Sequence, residues 1–265
     1  MALNLLRQVA VAVALVVMLW SNLGGGGDGR DEANRSPEMY TAYPTAFSPA
    51  PYTFAVWAPI FLGCIALTVY QSLPAMRHDL RFQTLGWLVA VAFLLTAATA
   101  YTPIGISNAV ITALVIALAL AYVTAARAEP QSTGFAWCVR IPIALFLGWC
   151  AVATILNGCQ FAVSRGFPVG PVAAALLIGI AATAGVGAVL RWHELTFGLV
   201  LVWAFWGIVA AQPGASPILL AAAAGSVALL GAMAFALRGG ARGPGRRALI
   251  RRPGASVPVT PPRPR

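Results

Sequence analysis

Residues 105–125 read GISNAVITALVIALALAYVTA, a run without a single Asp, Glu, Lys, Arg or His. At about 1.5 Å per helical residue, such a run spans the ~30 Å hydrocarbon core of a bilayer. In that layer every backbone polar group must be paired within the segment, so the run predicts a transmembrane helix. Seven more runs share the pattern, at roughly 3–23, 52–71, 83–101, 141–161, 170–190, 195–212 and 216–237. Only the first holds an ionisable residue, Arg7, close enough to the helix end to snorkel into headgroups. Nothing alternates polar and apolar residues over about ten positions, as barrel strands do. The predicted fold class is therefore all-α, a polytopic membrane helical bundle of about eight transmembrane helices. Trp20-Ser21-Asn22-Leu23 offers no small-x-small cleavage site, so the first run reads as a retained helix rather than a signal peptide.

The composition agrees. Of 265 residues 60% are apolar and 9% charged, against about 25% charged in soluble domains. All 17 basic residues are arginine. Without lysine the chain can make neither a Walker-type phosphate loop nor a Schiff base. The net charge of +10 would suggest nucleic acid, but the arginines alternate across the spans. Eight spans put fourteen arginines on the side of the termini, including Arg7, Arg77, Arg81, Arg127, Arg140 and Arg191. The other side receives three: Arg30, Arg35 and Arg165. By the positive-inside rule both termini are cytoplasmic. A plasma (inner) membrane location follows from uncut helical spans, membrane lipid is the expected partner, and no nucleic acid is.

Two segments stand outside the spans. The loop at about 24–51 opens with four glycines and the acids Asp28, Asp31, Glu32 and Glu38, then turns aromatic and proline-rich. Two readings of it stand: a flexible linker, or a lid over a pocket. The tail, 238–265, is Arg-, Gly- and Pro-rich and reads as a disordered basic cytoplasmic segment. Gly179, Ala181, Gly185 and Gly187 in the sixth span are small enough for close helix packing.

Chemistry is sparse. All seven acids and both histidines fall in loops, which disfavours proton or sodium coupling. His78 beside Asp79 and His193 beside Glu194 read as solvated surface. Cys64, Cys138, Cys150 and Cys159 lack metal-ligand spacing. No catalytic group, metal or cofactor is predicted. What remains inside the membrane is aromatic: Trp57 and Trp149 lie well within their spans, whereas Trp20, Trp137 and Trp192 suit an interface. Trp149, Ala153 and Asn157 recur at helical spacing. That stripe could line a pocket, or pack on another helix through an amide hydrogen bond.

At these residues the sequence resembles the TspO/MBR family of tryptophan-rich sensory or translocator proteins. Trp149-Cys150-Ala151-Val152-Ala153-Thr154-Ile155-Leu156-Asn157 is similar to the family's Trp-x-x-Phe-Ala-x-x-Leu-Asn, with Val152 in place of Phe. Trp57-Ala58-Pro59-Ile60-Phe61 resembles its Phe-Gly-Pro-x-Trp, with Pro59 identical. The resemblance implies a five-helix membrane bundle over 1–161, with three additional helices in 162–237. It further implies a site for a flat apolar ligand, such as a tetrapyrrole (porphyrin), in a sensory or regulatory role. Carried over, the ligand-binding residues are Trp57, Pro59, Phe61, Trp149, Ala153 and Asn157. Trp149 would stack on a ring, Ala153 would leave room and Asn157 would hydrogen-bond. Alternatives are a transporter of hydrophobic small molecules, a porphyrin-degrading enzyme using tryptophan chemistry, or a structural membrane subunit.

Overall fold

A computed structural model describes residues 2–23, 42–128 and 132–240. The acidic part of the first loop and the tail beyond 240 lie outside the described residues, and so do the lid, linker and disorder readings placed on them. Eight long helices run through the rest: α1 (Ala2–Leu23), α2 (Trp57–Ser72), α3 (Arg81–Thr99), α4 (Ile104–Arg127), α5 (Ile141–Ser164), α6 (Pro171–Trp192), α7 (Leu195–Ala211) and α8 (Ser216–Gly240). Among the described residues seven helices are long and apolar enough to cross a membrane; the shorter one is α7, of 17 residues. The chain is a multi-pass membrane bundle.

Local signals set the ends. Pro51 opens a 3-10 turn, Pro51–Val56, that leads into α2. Pro171 stands in the first turn of α6, where a missing N–H costs nothing, whereas Pro142 follows a π-helical turn, Ala136–Arg140, that runs continuously into α5. His193 takes a left-handed conformation (φ 53°) and ends α6. Directly after it, the Glu194 carboxylate accepts from Thr196 N–H and caps α7. Gly214, at φ 83°, makes the turn into α8.

α1 packs on α3, α3 on α4, α4 on α5, α5 on α2 and α2 on α1, so the first five helices close into a ring. α6, α7 and α8 pack on one another and join the ring through α7 against α5. Gly185 of α6 lies where a Cβ would collide with Leu201 and Leu229, whereas Gly179 and Gly187 face open space. The outward faces are apolar: Leu3, Leu62, Leu176, Leu220 and Val227 are each largely exposed. Such a surface suits lipid rather than water.

Two charged residues depart from expectation. Arg7 does not snorkel: it is 1% exposed, its stem lies over Gly86 of α3, and Nη2 donates to the Arg77 carbonyl at 3.4 Å. Glu194 is not solvated surface either, being 5% exposed. Its carboxylate pairs with Arg140 Nε at 3.2 Å and accepts from the Tyr122 hydroxyl at 3.4 Å. A carboxylate at a span boundary is buried when partners on neighbouring helices compensate it.

Candidate functional site

Trp57 and Phe61 stand one turn apart at the start of α2 and so share a face. Their rings stack at 5.1 Å between centroids, 25° from parallel. Two rings of α5 meet Trp57 edge-on, Phe146 at 5.9 Å and Trp149 at 6.5 Å. Phe54, from the 3-10 turn, meets Trp149 edge-on at 5.4 Å. Trp149 is thereby held between Phe54 and Trp57 and is 3% exposed. Such pairings fix ring orientation beyond simple burial.

The Trp57 and Phe61 pair, with Phe54, borders a cavity of about 970 Å³ that Trp149 does not line. Its other walls come from Pro44, Thr45 and Ser48 of the first loop, Asn22 at the end of α1, and Ala210 and Gln212 at the end of α7. The surface is mostly apolar with a few amide and hydroxyl groups, as in small-molecule clefts. By contrast, the ring interior is filled. Between Cys64, Val89, Phe93, Leu118 and Phe146 only about 10 Å³ is left, room for one water at most. Beside these rings, space for a large ligand therefore lies at the end of the bundle where α1 finishes rather than along the axis of the five-helix ring.

The loop wall is fastened by hydrogen bonds to α7 and to the turn before α6. Ala46 N–H donates to the Val169 carbonyl at 3.0 Å, and Ala50 N–H to the Gly207 carbonyl at 2.9 Å. Trp203 Nε1 donates to the Thr53 carbonyl at 2.9 Å. A Cβ on Gly207 would collide with the Thr53 side chain, so glycine there permits the approach.

Of the six residues singled out in the sequence, Trp57 and Phe61 line the cavity, and Trp149 backs Trp57. Pro59 is exposed on the first turn of α2. Ala153 is half-buried, and its carbonyl accepts from Asn157 Nδ2 at 3.1 Å. Asn157 Oδ1 accepts from the Ser107 hydroxyl of α4 at 3.2 Å. The amide is thus engaged in a bond between helices, the second of the two readings open for that stripe. Phe54, Thr45, Asn22 and Gln212 were missed; they come from a turn, a loop and two helix ends that only the tertiary fold assembles. Pro44, Pro51 and Pro213, near Thr45, Phe54 and Gln212, were the available signal.

A protein-family model described as TSPO-like protein matches residues 4–236, which takes in nearly all of the eight helices. No curated protein and no solved structure matches the chain.

Proposed function

The chain belongs to the TSPO-like protein family, and on that premise we propose that it binds a flat apolar ligand, a tetrapyrrole such as protoporphyrin, in a sensory or regulatory role. The observation that carries this reading is the stacked Trp57 and Phe61 pair forming one wall of the 970 Å³ cavity. That volume sits at the upper end of the roughly 300–1,000 Å³ typical of ligand clefts. A planar ring laid on such a wall gains stacking and apolar burial together. Trp149 acts from behind, holding Trp57 at its angle. Ala153 and Asn157 support the site by keeping α4 and α5 in register, and Pro59 helps to set the first turn of α2.

The test is a titration of the purified protein in detergent with protoporphyrin, followed by the porphyrin absorption band and by tryptophan fluorescence. Saturable binding at micromolar ligand, weakened about tenfold by Trp57→Leu, supports the reading. Trp206→Phe, on the outward face of α7, should leave it unchanged. No saturable change at micromolar protoporphyrin, or equal binding by Trp57→Leu, overturns it.

The same reading keeps both termini on the cytoplasmic face of the plasma (inner) membrane. The arginine distribution supports that orientation. An epitope on the C-terminus that antibody reaches from outside intact cells would overturn it.

A further inference from the structure

At the end of the bundle opposite the aromatic cavity, Arg7 is a buried cation whose guanidinium lies 5.9 Å from the Phe82 ring centroid but has too few hydrogen-bond acceptors. Nη2 makes the long bond to the Arg77 carbonyl, while Nε and Nη1 have none among the described residues. The nearby carboxylate, Asp79, is already engaged by hydrogen bonds from Arg81. A guanidinium out of water with unmet N–H donors is costly unless an acceptor is supplied. Room for one exists. A cavity of about 360 Å³ lies against Arg7, lined also by Leu3, Asn4, Gln83, Thr84 and Trp87.

The walls of this cavity are matched to a particular chemistry. Gln83 and Thr84 bring amide and hydroxyl donors to its rim, Asn4 Nδ2 lies 3.4 Å from His78 Nδ1, and Leu3 and Trp87 bring exposed apolar surface. Arg7 and Arg81 both act on the single carboxylate of Asp79, so the local field is positive and draws an anion. Arg7 lies within about two turns of the start of α1, near headgroup depth. Trp87, exposed on α3, is the residue type that favours the same level.

We propose that this cavity is a binding site for the phosphate of an anionic phospholipid, with Arg7 as its charged anchor. The phosphodiester oxygens accept from the Arg7 guanidinium as it turns into the cavity, Gln83 and Thr84 hold the headgroup at the rim, and the acyl chains run along Leu3 and Trp87. In place of an arginine reaching up to the headgroups, a headgroup comes down to the arginine.

The experiment is native mass spectrometry of the full chain released from detergent, with thermal unfolding as a parallel readout. The probes are phosphatidylglycerol, phosphatidylcholine of the same chain length, and inorganic phosphate. The expected result is one preferentially retained phosphatidylglycerol and a rise in unfolding temperature with that lipid. Arg7→Gln should weaken its retention about tenfold, with the basic tail unchanged as an internal constant. Gln83→Ala with Thr84→Val, on exposed positions, should weaken it severalfold without altering the fold, and it serves as the readout if Arg7→Gln does not fold. Equal retention by these variants, or equal binding of phosphatidylcholine, overturns the proposal. Stabilisation by inorganic phosphate as large as by phosphatidylglycerol would assign the site to a soluble anion and overturn the lipid reading.

Discussion

Trp203 on α7 donates its indole N–H to the carbonyl of Thr53 at 2.9 Å, joining residues 150 positions apart. One turn further along α7, Gly207 leaves just enough room for the Thr53 side chain, which is fully buried. This contact ties the helix added after the ring to the turn that presents Phe54 and Trp57. Trp203→Phe removes the bond but keeps most of the ring, and should lower stability by about 1 kcal/mol. Gly207→Val forces a side chain into Thr53 and should cost about 1–3 kcal/mol. Thermal unfolding in detergent measures both. A Gly207→Val protein as stable as the parent would mean that the loop is not clamped there.

Asn157 and Ser107 present the same issue between α4 and α5. Interhelical side-chain bonds in membranes average about 0.6 kcal/mol by double-mutant cycles. A cycle built from Ser107→Ala and Asn157→Ala should return a coupling of that order. Protoporphyrin affinity should change little in either variant, because neither residue lines the cavity. A large affinity loss with no coupling energy would return Asn157 to the pocket.

The helices were legible because a span is a one-dimensional property, a run of about twenty uncharged residues that needs no knowledge of neighbours. Trp57 and Trp149 were legible as exceptional for the same reason, each being a large ring well inside a span. Their roles were not. Which of two tryptophans faces the cavity depends on the register of α2 against α5 and on Phe54, which arrives from a turn. Arg7 and Glu194 were misread in a consistent way. Arg7 was judged by its distance from a helix end and Glu194 by its place in a charged loop, whereas burial was decided by Gly86 and Arg77 in one case and by Arg140 and Tyr122 in the other. Charge near a boundary is informative only once its partners are known.

Glu194 allows that point to be tested. Its carboxylate is 6% exposed, whereas the Arg140 side chain is 29% exposed and can be partly rehydrated. Glu194→Ala removes an ion pair and the cap of α7 together. The expected loss is about 2 kcal/mol, below the ~3–5 for breaking a fully buried pair. Glu194→Gln keeps an acceptor for Thr196 and Tyr122 and should lose less. Unfolding temperatures that rank parent, Gln, then Ala would establish the carboxylate as structural. An Ala variant within about 0.5 kcal/mol of the parent would show that the network contributes nothing measurable.

Asp79 governs the acid limb of stability. In the loop between α2 and α3, the hydrogen bonds from Arg81, and its charge, hold the Asp79 carboxyl below the usual carboxylate range. Arg81 is itself stacked on Phe135, 4.6 Å from the ring centroid, so the pair also secures the segment before α5. A folded-state pKa lowered below the unfolded value of about 3.9 means that folding favours the ionised form. The resulting stability is fully present above the unfolded value and disappears as the pH falls through the lower folded value. Unfolding temperatures of the parent and Asp79→Asn should therefore differ by a constant amount from pH 5 to 7 and converge on acidification below about pH 4. A gap that persists unchanged to low pH would show that the substitution acts by disturbing the loop backbone rather than by removing the charge.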